Sequence, residues 1–187
     1  PDLSDVSATL DILRLLGCRA DREGDTVIID ASAVNRSDIP EHLMREMRSS
    51  VIFLGALLAR LGAAELSYPG GCELGPRPID LHLAALRALG AEILEEQGAL
   101  ACRCCRGGLR GRELCLSIPS VGATENAMLA ACGCPGVTTV VGGAREPEII
   151  DLQSFLQAAG AQVEGAGTST ITIQGGLPLH PVEYRVM

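Results

Sequence analysis

Residues 83–91 read LAALRALGA, and this stretch sets the architecture because its pattern occurs three times along the chain. Residues 10–18 read LDILRLLGC, and residues 153–161 read QSFLQAAGA. Each stretch places apolar side chains at helical spacing and ends with a glycine followed by a small residue. The pattern predicts an amphipathic helix that stops at that glycine.

The three glycines, Gly17, Gly90 and Gly160, lie 73 and 70 residues apart, so a unit of about 70 residues repeats. After the first and the third glycine, residues 26–29 (TVII) and 170–173 (TITI) are typical of strands that follow a polar or glycine-rich turn. We therefore expect each amphipathic helix to lead directly into a β-hairpin.

A second type of helix alternates with the first. Residues 49–62 are apolar on nearly every side, and residues 120–132 form a counterpart one repeat later, so both are predicted to be buried helices. Each unit then has the order strand–helix–strand–helix–strand–strand. Such units stack around an approximate three-fold axis with sheets outside and buried helices inside. The expected fold class is α+β, with about two and a half units, because the first lacks its buried helix.

Composition excludes several classes of function. The 187 residues include 15 basic and 23 acidic side chains, a net charge of −8, and only 2% are aromatic. Neither duplex nor single-stranded nucleic acid is an expected partner of such a chain. Every basic residue is arginine, so mechanisms that need a lysine amine are unavailable within this chain. Apolar residues make up 47%, enough for a substantial aliphatic core.

The ends and the cysteines suggest a cellular context. Residues 1–5 (PDLSD) resemble neither a signal peptide nor a translation start, so we expect the chain to begin partway through a longer protein. The longest uncharged apolar run, residues 51–59, is shorter than the roughly 20 residues that cross a bilayer, and no membrane partner is expected. We expect a cytoplasmic protein whose eight cysteines are reduced.

The segment best suited to chemistry is residues 67–82, SYPGGCELGPRPIDLH. Two interpretations remain open: a surface connection with an incidental cysteine, or a loop that closes over a ligand. Cys72 follows two glycines, and the nearby Arg77 and a helix start would both favour its thiolate. The loop is therefore the main candidate for function.

Five blocks of sequence resemble the UDP-N-acetylglucosamine 1-carboxyvinyltransferases, which are enolpyruvyl transferases. The blocks are MRSS (47–50), PGGC (69–72), GPRPIDLH (75–82), PSVGATEN (119–126) and AREPEIIDL (144–152). They occur in the family's order and extend over essentially the whole chain. The resemblance implies an enzyme of two domains, each an inside-out α/β prism of three repeats, with the active site in the cleft between them.

The resemblance also implies a division of the chain. Residues 1–187 form a single prism domain, with the remainder of the first repeat at 1–31, the second repeat at 32–104 and the third at 105–175. Residues 176–187 correspond to the family's return segment towards a second domain absent from this chain, and residues 183–187 (EYRVM) look like the strand of that segment.

The reaction that the resemblance implies moves the enolpyruvyl group of phosphoenolpyruvate to the 3′-hydroxyl of UDP-N-acetylglucosamine and releases phosphate. It proceeds by addition and elimination through a tetrahedral ketal and needs no cofactor. By resemblance, Cys72 is the proton donor, can attach covalently to phosphoenolpyruvate, and is the thiol that fosfomycin alkylates. A thiol that exchanges its proton near neutral pH suits these roles.

By resemblance, the substrate-binding residues are Arg48, Arg77, Pro78, Ile79, Asp80, Leu81, Ser120 and Val121. Arginine forks suit phosphate oxygens, and a serine at a helix start can offer hydroxyl and backbone donors. Taken from the residues alone, the favoured interpretation of Arg48 is a solvated arginine at a helix start. That of Ser120 is likewise a simple N-cap.

Two other classes of function remain open. One is a sister enolpyruvyl transferase that acts on shikimate 3-phosphate, although the Gly-Gly-Cys loop is associated with the nucleotide-sugar branch. The other is a truncated or degenerate relative that binds UDP-sugar or a partner without turnover. The family's Lys-Asn pair and its aspartate base lie outside this chain, so we expect negligible turnover from the chain alone.

The remaining cysteines and histidines predict no metal site. Residues 102–105 (CRCC) resemble half a zinc site, but the spacing is irregular, no histidine is near, and a strand would place neighbours on opposite faces. For His82, helix packing and ligand contact remain open. His42 and His180 are expected in loops.

Overall fold

The repeat predicted from the sequence is visible in the computed structural model, which describes residues 3–47, 49–67, 79–96 and 98–187. The first, partial unit consists of α1 (Ser4–Leu15), β1 (Arg19–Glu23) and β2 (Thr26–Asp30). The next contains β3 (Asp38–Ile39), α2 (Glu41–Glu46), a 3-10 turn (Ser50–Ile52), α3 (Phe53–Leu61), β4 (Ala63–Ser67), α4 (Asp80–Leu89), β5 (Ala91–Glu96) and β6 (Ala99–Cys104). The last contains β7 (Glu113–Cys115), α5 (Val121–Gly133), β8 (Gly136–Val141), α6 (Pro147–Ala158), β9 (Gln162–Glu164) and β10 (Thr170–Gly175).

The sheets have the same topology in both full units. Within the described ranges, one four-stranded sheet has the order β3-β4-β6-β5 and the other has the order β7-β8-β10-β9. In each, the first two strands are parallel and the remaining pairs are antiparallel. Strands β1 and β2 form a separate antiparallel hairpin, and no described sheet is closed into a barrel. The mixed architecture of stacked βαβαββ units is therefore confirmed, whereas the exact repeat boundaries remain predictions.

The glycines that end the amphipathic helices adopt the predicted left-handed conformation. Their φ angles are 99° at Gly17, 108° at Gly90 and 98° at Gly160. A residue with a β-carbon would be strained there, and glycine lets the chain turn from the helix into the following hairpin. The prediction made from the repeated sequence pattern is confirmed at all three positions.

Helices α3 and α5 pack directly against each other in the core. Leu54, Leu58 and Met128 are fully buried along their contact. A β-carbon on Gly133 would lie 2.6 Å from Cβ of Ala59, so the helices can approach this closely only with glycine at that position. The prediction of two buried helices is confirmed.

One local expectation is wrong, and another stays a prediction. The strand expected at residues 183–187 would lead into the second domain, and within the described chain residues 176–187 form no strand. They lie against α6, where the Tyr184 hydroxyl donates to Oδ1 of Asp151 at 2.7 Å and the Tyr184 ring meets Phe155 edge-on. His42, expected in a loop, lies in the short helix α2.

Candidate functional site

The N-terminal turns of α4 and α5 meet, and most of the described candidate residues lie there. Helix α4 begins at Asp80 and α5 begins at Val121. Between the two turns, a β-carbon on Gly122 would lie 3.0 Å from Cε1 of His82 and 3.3 Å from its Nε2. The fold thereby brings the segment 79–81 close to the segment 120–121, although the two are some 40 residues apart in sequence.

On α4 the three described candidates face different surroundings. Ile79, which precedes the helix, has its side chain buried, so only its backbone can face a ligand. Asp80 is exposed in the first turn, where the positive end of the helix dipole favours a carboxylate. Leu81 is half-buried and packs against the core.

On α5 the expected N-cap is present. The Ser120 hydroxyl accepts a hydrogen bond from the backbone N–H of Ala123 at 3.4 Å. Thr124 donates to the Ser120 carbonyl at 2.7 Å and accepts from the backbone N–H of Ala144 at 3.0 Å. The cap leaves the proton of the Ser120 hydroxyl available as a donor, so capping and ligand binding are compatible at this residue. Val121 is half-buried beside it.

Below the two helix starts, a fully buried asparagine connects three helical segments. Oδ1 of Asn126 accepts from the backbone N–H of Gly55 at 2.6 Å. Its Nδ2 lies 3.0 Å from the carbonyl of Val51 and 3.1 Å from Nδ1 of His82. Sequence reasoning missed this role, although an asparagine in an otherwise apolar helix is a signal, because a buried amide requires partners.

His82 is buried and neutral. Desolvation lowers the pKa of its imidazole to about 4, and the carboxylate of Asp80 opposes that change only in part. Of the two roles that the sequence left open, helix packing is the one the structure displays. The ring fills the space between Gly122 and Asn126.

Four of the candidates lie outside the described residues: Cys72, Arg48, Arg77 and Pro78. Three of them, Cys72, Arg77 and Pro78, belong in sequence to the segment between β4, which ends at Ser67, and α4, which begins at Asp80. This segment therefore connects a strand of the second unit to the helix start described above. The proposed roles of these four residues remain predictions.

The other cysteines are free thiols with different surroundings. Seven lie in the described ranges, and there Cys115 is exposed whereas Cys102, Cys132 and Cys134 are buried. Burial raises the pKa of Cys102 and of Cys132 to about 11 and that of Cys134 to about 12, so these thiols stay protonated and unreactive. In β6, Cys102 is buried and the neighbouring Arg103 is exposed, which confirms the predicted alternation.

The described residues contain no group of three or more histidine, cysteine, aspartate or glutamate side chains placed to hold a metal ion. None of their helices has the length and apolar character needed to cross a membrane.

Comparison with protein families and curated proteins gives consistent matches. The family model for EPSP synthase (3-phosphoshikimate 1-carboxyvinyltransferase) matches residues 1–187. The chain is 49% identical over its whole length to UDP-N-acetylglucosamine 1-carboxyvinyltransferase 2 of Caldanaerobacter subterraneus, and 46% identical to the corresponding enzyme of Nitratidesulfovibrio vulgaris. It spans 44% of the length of each of these relatives.

Solved structures show the same fold. The enolpyruvyl transferase NikO from Streptomyces tendae superimposes with a TM-score of 0.81 at 26% identity, over 95% of this chain and 42% of NikO. EPSP synthase from Acinetobacter baumannii superimposes with a TM-score of 0.68 at 22% identity, over 96% of this chain and 41% of its own. The prism architecture expected from the sequence is confirmed by these neighbours.

Proposed function

This chain belongs to the EPSP synthase family, and we propose that it forms the cysteine-loop part of an enzyme that transfers enolpyruvyl from phosphoenolpyruvate to the 3′-hydroxyl of UDP-N-acetylglucosamine. The observation that carries the proposal is the 49% identity, over the whole chain, to an enzyme named for that nucleotide sugar. The reaction would be the first committed step of peptidoglycan synthesis, in the cytoplasm.

Cys72 is the proposed acid of the reaction. Its thiol protonates the methylene carbon of phosphoenolpyruvate while the sugar hydroxyl attacks the adjacent carbon and gives its proton to the base expected in the second domain, which yields a tetrahedral ketal. A proton of the new methyl group then returns to the Cys72 thiolate, and phosphate leaves with the proton held by the base, so that an enolpyruvyl ether forms on the sugar and the thiol is restored. A loop thiol suits this step because its pKa can lie near the working pH, unlike the pKa values of the buried thiols.

The remaining candidates bind the nucleotide sugar in this proposal. Arg48 and Arg77 pair with phosphate oxygens through their guanidinium forks. Pro78, Ile79, Asp80 and Leu81 form one side of the site, and Ser120 with Val121 forms the other. The contact between the two helix starts supports this grouping, because it places the described members of both segments at one location.

Turnover requires a second prism domain in this proposal. The chain spans 44% of the length of its curated relatives, and the expected base and the Lys-Asn pair are outside it. We therefore assign substrate binding and the cysteine to this chain, and expect no measurable release of phosphate until the second domain is supplied.

A relative that binds UDP-sugar without turnover is the second candidate function. The same coverage of 44% favours it for the chain in isolation. Activity restored by a separately added second domain would separate the two candidates, because a degenerate relative stays inactive under that condition. The shikimate branch receives less support, since curated relatives at 44–49% identity carry the nucleotide-sugar name.

Fosfomycin tests the role of Cys72 directly. The thiolate opens the epoxide of fosfomycin, forming a C–S bond while the epoxide oxygen becomes a hydroxyl. We expect intact-mass analysis to show one adduct per chain, promoted by UDP-N-acetylglucosamine and mapped to Cys72. Cys72→Ser should remove the adduct, because the resemblance assigns the reaction with the epoxide to this thiol.

The matched control is Cys115→Ser, which removes an exposed thiol of the described ranges. It should leave the yield of adduct and its dependence on the nucleotide sugar unchanged. Labelling that persists in Cys72→Ser, or that spreads over several thiols, contradicts the assignment of Cys72.

A further inference from the structure

The orientation of the Asn126 amide is fixed by two backbone groups. Oδ1 accepts from the N–H of Gly55, and Nδ2 faces the carbonyl of Val51, so a rotation that exchanged the two atoms would oppose donor to donor and acceptor to acceptor. Nδ2 is therefore a donor towards its remaining neighbour, Nδ1 of His82, at 3.1 Å.

The amide in turn fixes the tautomer of His82. Because Nδ2 of Asn126 can only donate, Nδ1 of His82 must accept and carry no proton. The single ring proton is then on Nε2, on the side of Gly122, and the ring is held at a defined distance from the first turn of α5. Protonation of Nδ1 would place two N–H groups against each other.

This arrangement joins α4 to α5 and α3 at one point. His82 comes from α4, Asn126 from α5, and Gly55 from α3. His82 directly follows Leu81, and Gly122, against which its ring lies, is two residues after Ser120. Any change in the ring position alters the spacing between the segments 79–81 and 120–121.

We propose that His82, oriented by Asn126, is a positioning residue that sets the spacing between the two segments of the nucleotide-sugar site. The inference rests on the proposed function for the identity of the ligand, and on the described hydrogen bonds for the geometry. His82 acts through the two helix starts and is not itself a reacting group.

Two substitutions at His82 separate positioning from simple packing. His82→Leu keeps a side chain of similar volume but removes the acceptor, whereas His82→Asn can place an amide oxygen where Nδ1 was. We expect the Kd of the chain for UDP-N-acetylglucosamine to rise on the order of tenfold in His82→Leu, because small misplacements of binding groups are costly. In His82→Asn the Kd should stay within about threefold.

His180→Leu is the matched control, since His180 is exposed, with its Nδ1 beside the carbonyl of Pro181 and its ring over Gly160, and it contacts neither helix start. It should leave the Kd unchanged. Circular dichroism must show all three variants folded, and equal affinity in His82→Leu and the unsubstituted chain would overturn the proposal.

A ligand-free measurement keeps the inference testable if the nucleotide sugar does not bind. Nitrogen-15 NMR of the unsubstituted chain at neutral pH should report an unprotonated Nδ1 in His82. In the same chain, a nuclear Overhauser effect between the His82 ring and the α-protons of Gly122 should report the contact between the two helix starts. A protonated Nδ1 overturns the positioning proposal, whereas absent binding with these signals intact overturns only the choice of ligand.

Discussion

Gly55→Ala is expected to destabilise the folded chain by about 3 kcal/mol, a large share of the roughly 5–15 kcal/mol by which folded domains are stable. A β-carbon at this position would lie 2.3 Å from the backbone oxygen of Asn126 and 2.4 Å from its Oδ1. Neither atom can move freely, because one belongs to the backbone of α5 and the other accepts from the N–H of Gly55 itself. Helices α3 and α5 would have to separate, which also breaks the contact to His82.

Urea unfolding followed by circular dichroism measures this effect. Ala56→Ser is the control, because Ala56 is the exposed neighbour on the same helix and its substitution should cost no more than about 0.5 kcal/mol. A free energy of unfolding for Gly55→Ala within about 1 kcal/mol of that of the unsubstituted chain would show that the two helices are less closely packed than described.

The sequence predicts both helices of this pair, but it does not predict which residues form the contact between them. The apolar residues 49–62 and 120–132 predict two buried helices, and that prediction is confirmed. Periodicity, however, reports only which face of a helix is apolar and says nothing about which residue meets which. The partners of Asn126 lie 71 and 75 residues away, so the bonds to Gly55 and Val51 emerge only from the packed fold.

The candidate site, too, is predictable from the sequence only in part. Family resemblance supplied Ser120, Val121 and residues 79–81, and the repeat pattern placed both segments at helix starts. The contact between these helix starts depends on how neighbouring units stack, which no local pattern encodes. His82 shows the difference clearly, since its residue type allowed either packing or binding and only its buried contacts decided between them.

The strand that the resemblance predicts at residues 183–187 depends on an edge in the second domain, so it stays a prediction. A strand needs a neighbouring edge to satisfy its backbone groups. In the described chain Tyr184 bonds to Asp151 and stacks edge-on against Phe155, so side-chain contacts with α6 determine the path of this segment.

The stability of the chain should depend on pH through His82. Its pKa is lowered from 6.5 to about 4 in the folded chain, mainly by burial. Between these two values the unfolded chain binds a proton at His82 and the folded chain does not, so the free energy of unfolding rises with pH. The contribution is fully present above pH 6.5, is lost as the pH falls to about 4, and amounts to about 3 kcal/mol.

The pH dependence of His82→Leu isolates this contribution from those of other groups. Glu125 has a pKa raised by burial and by Glu148, so it stabilises the folded chain at low pH and opposes His82. Both chains contain Glu125, and its effect cancels when their free energies of unfolding are subtracted at each pH. The difference should change by about 3 kcal/mol between pH 6.5 and 4, and parallel curves would mean that the pKa of His82 is the same in the folded and the unfolded chain.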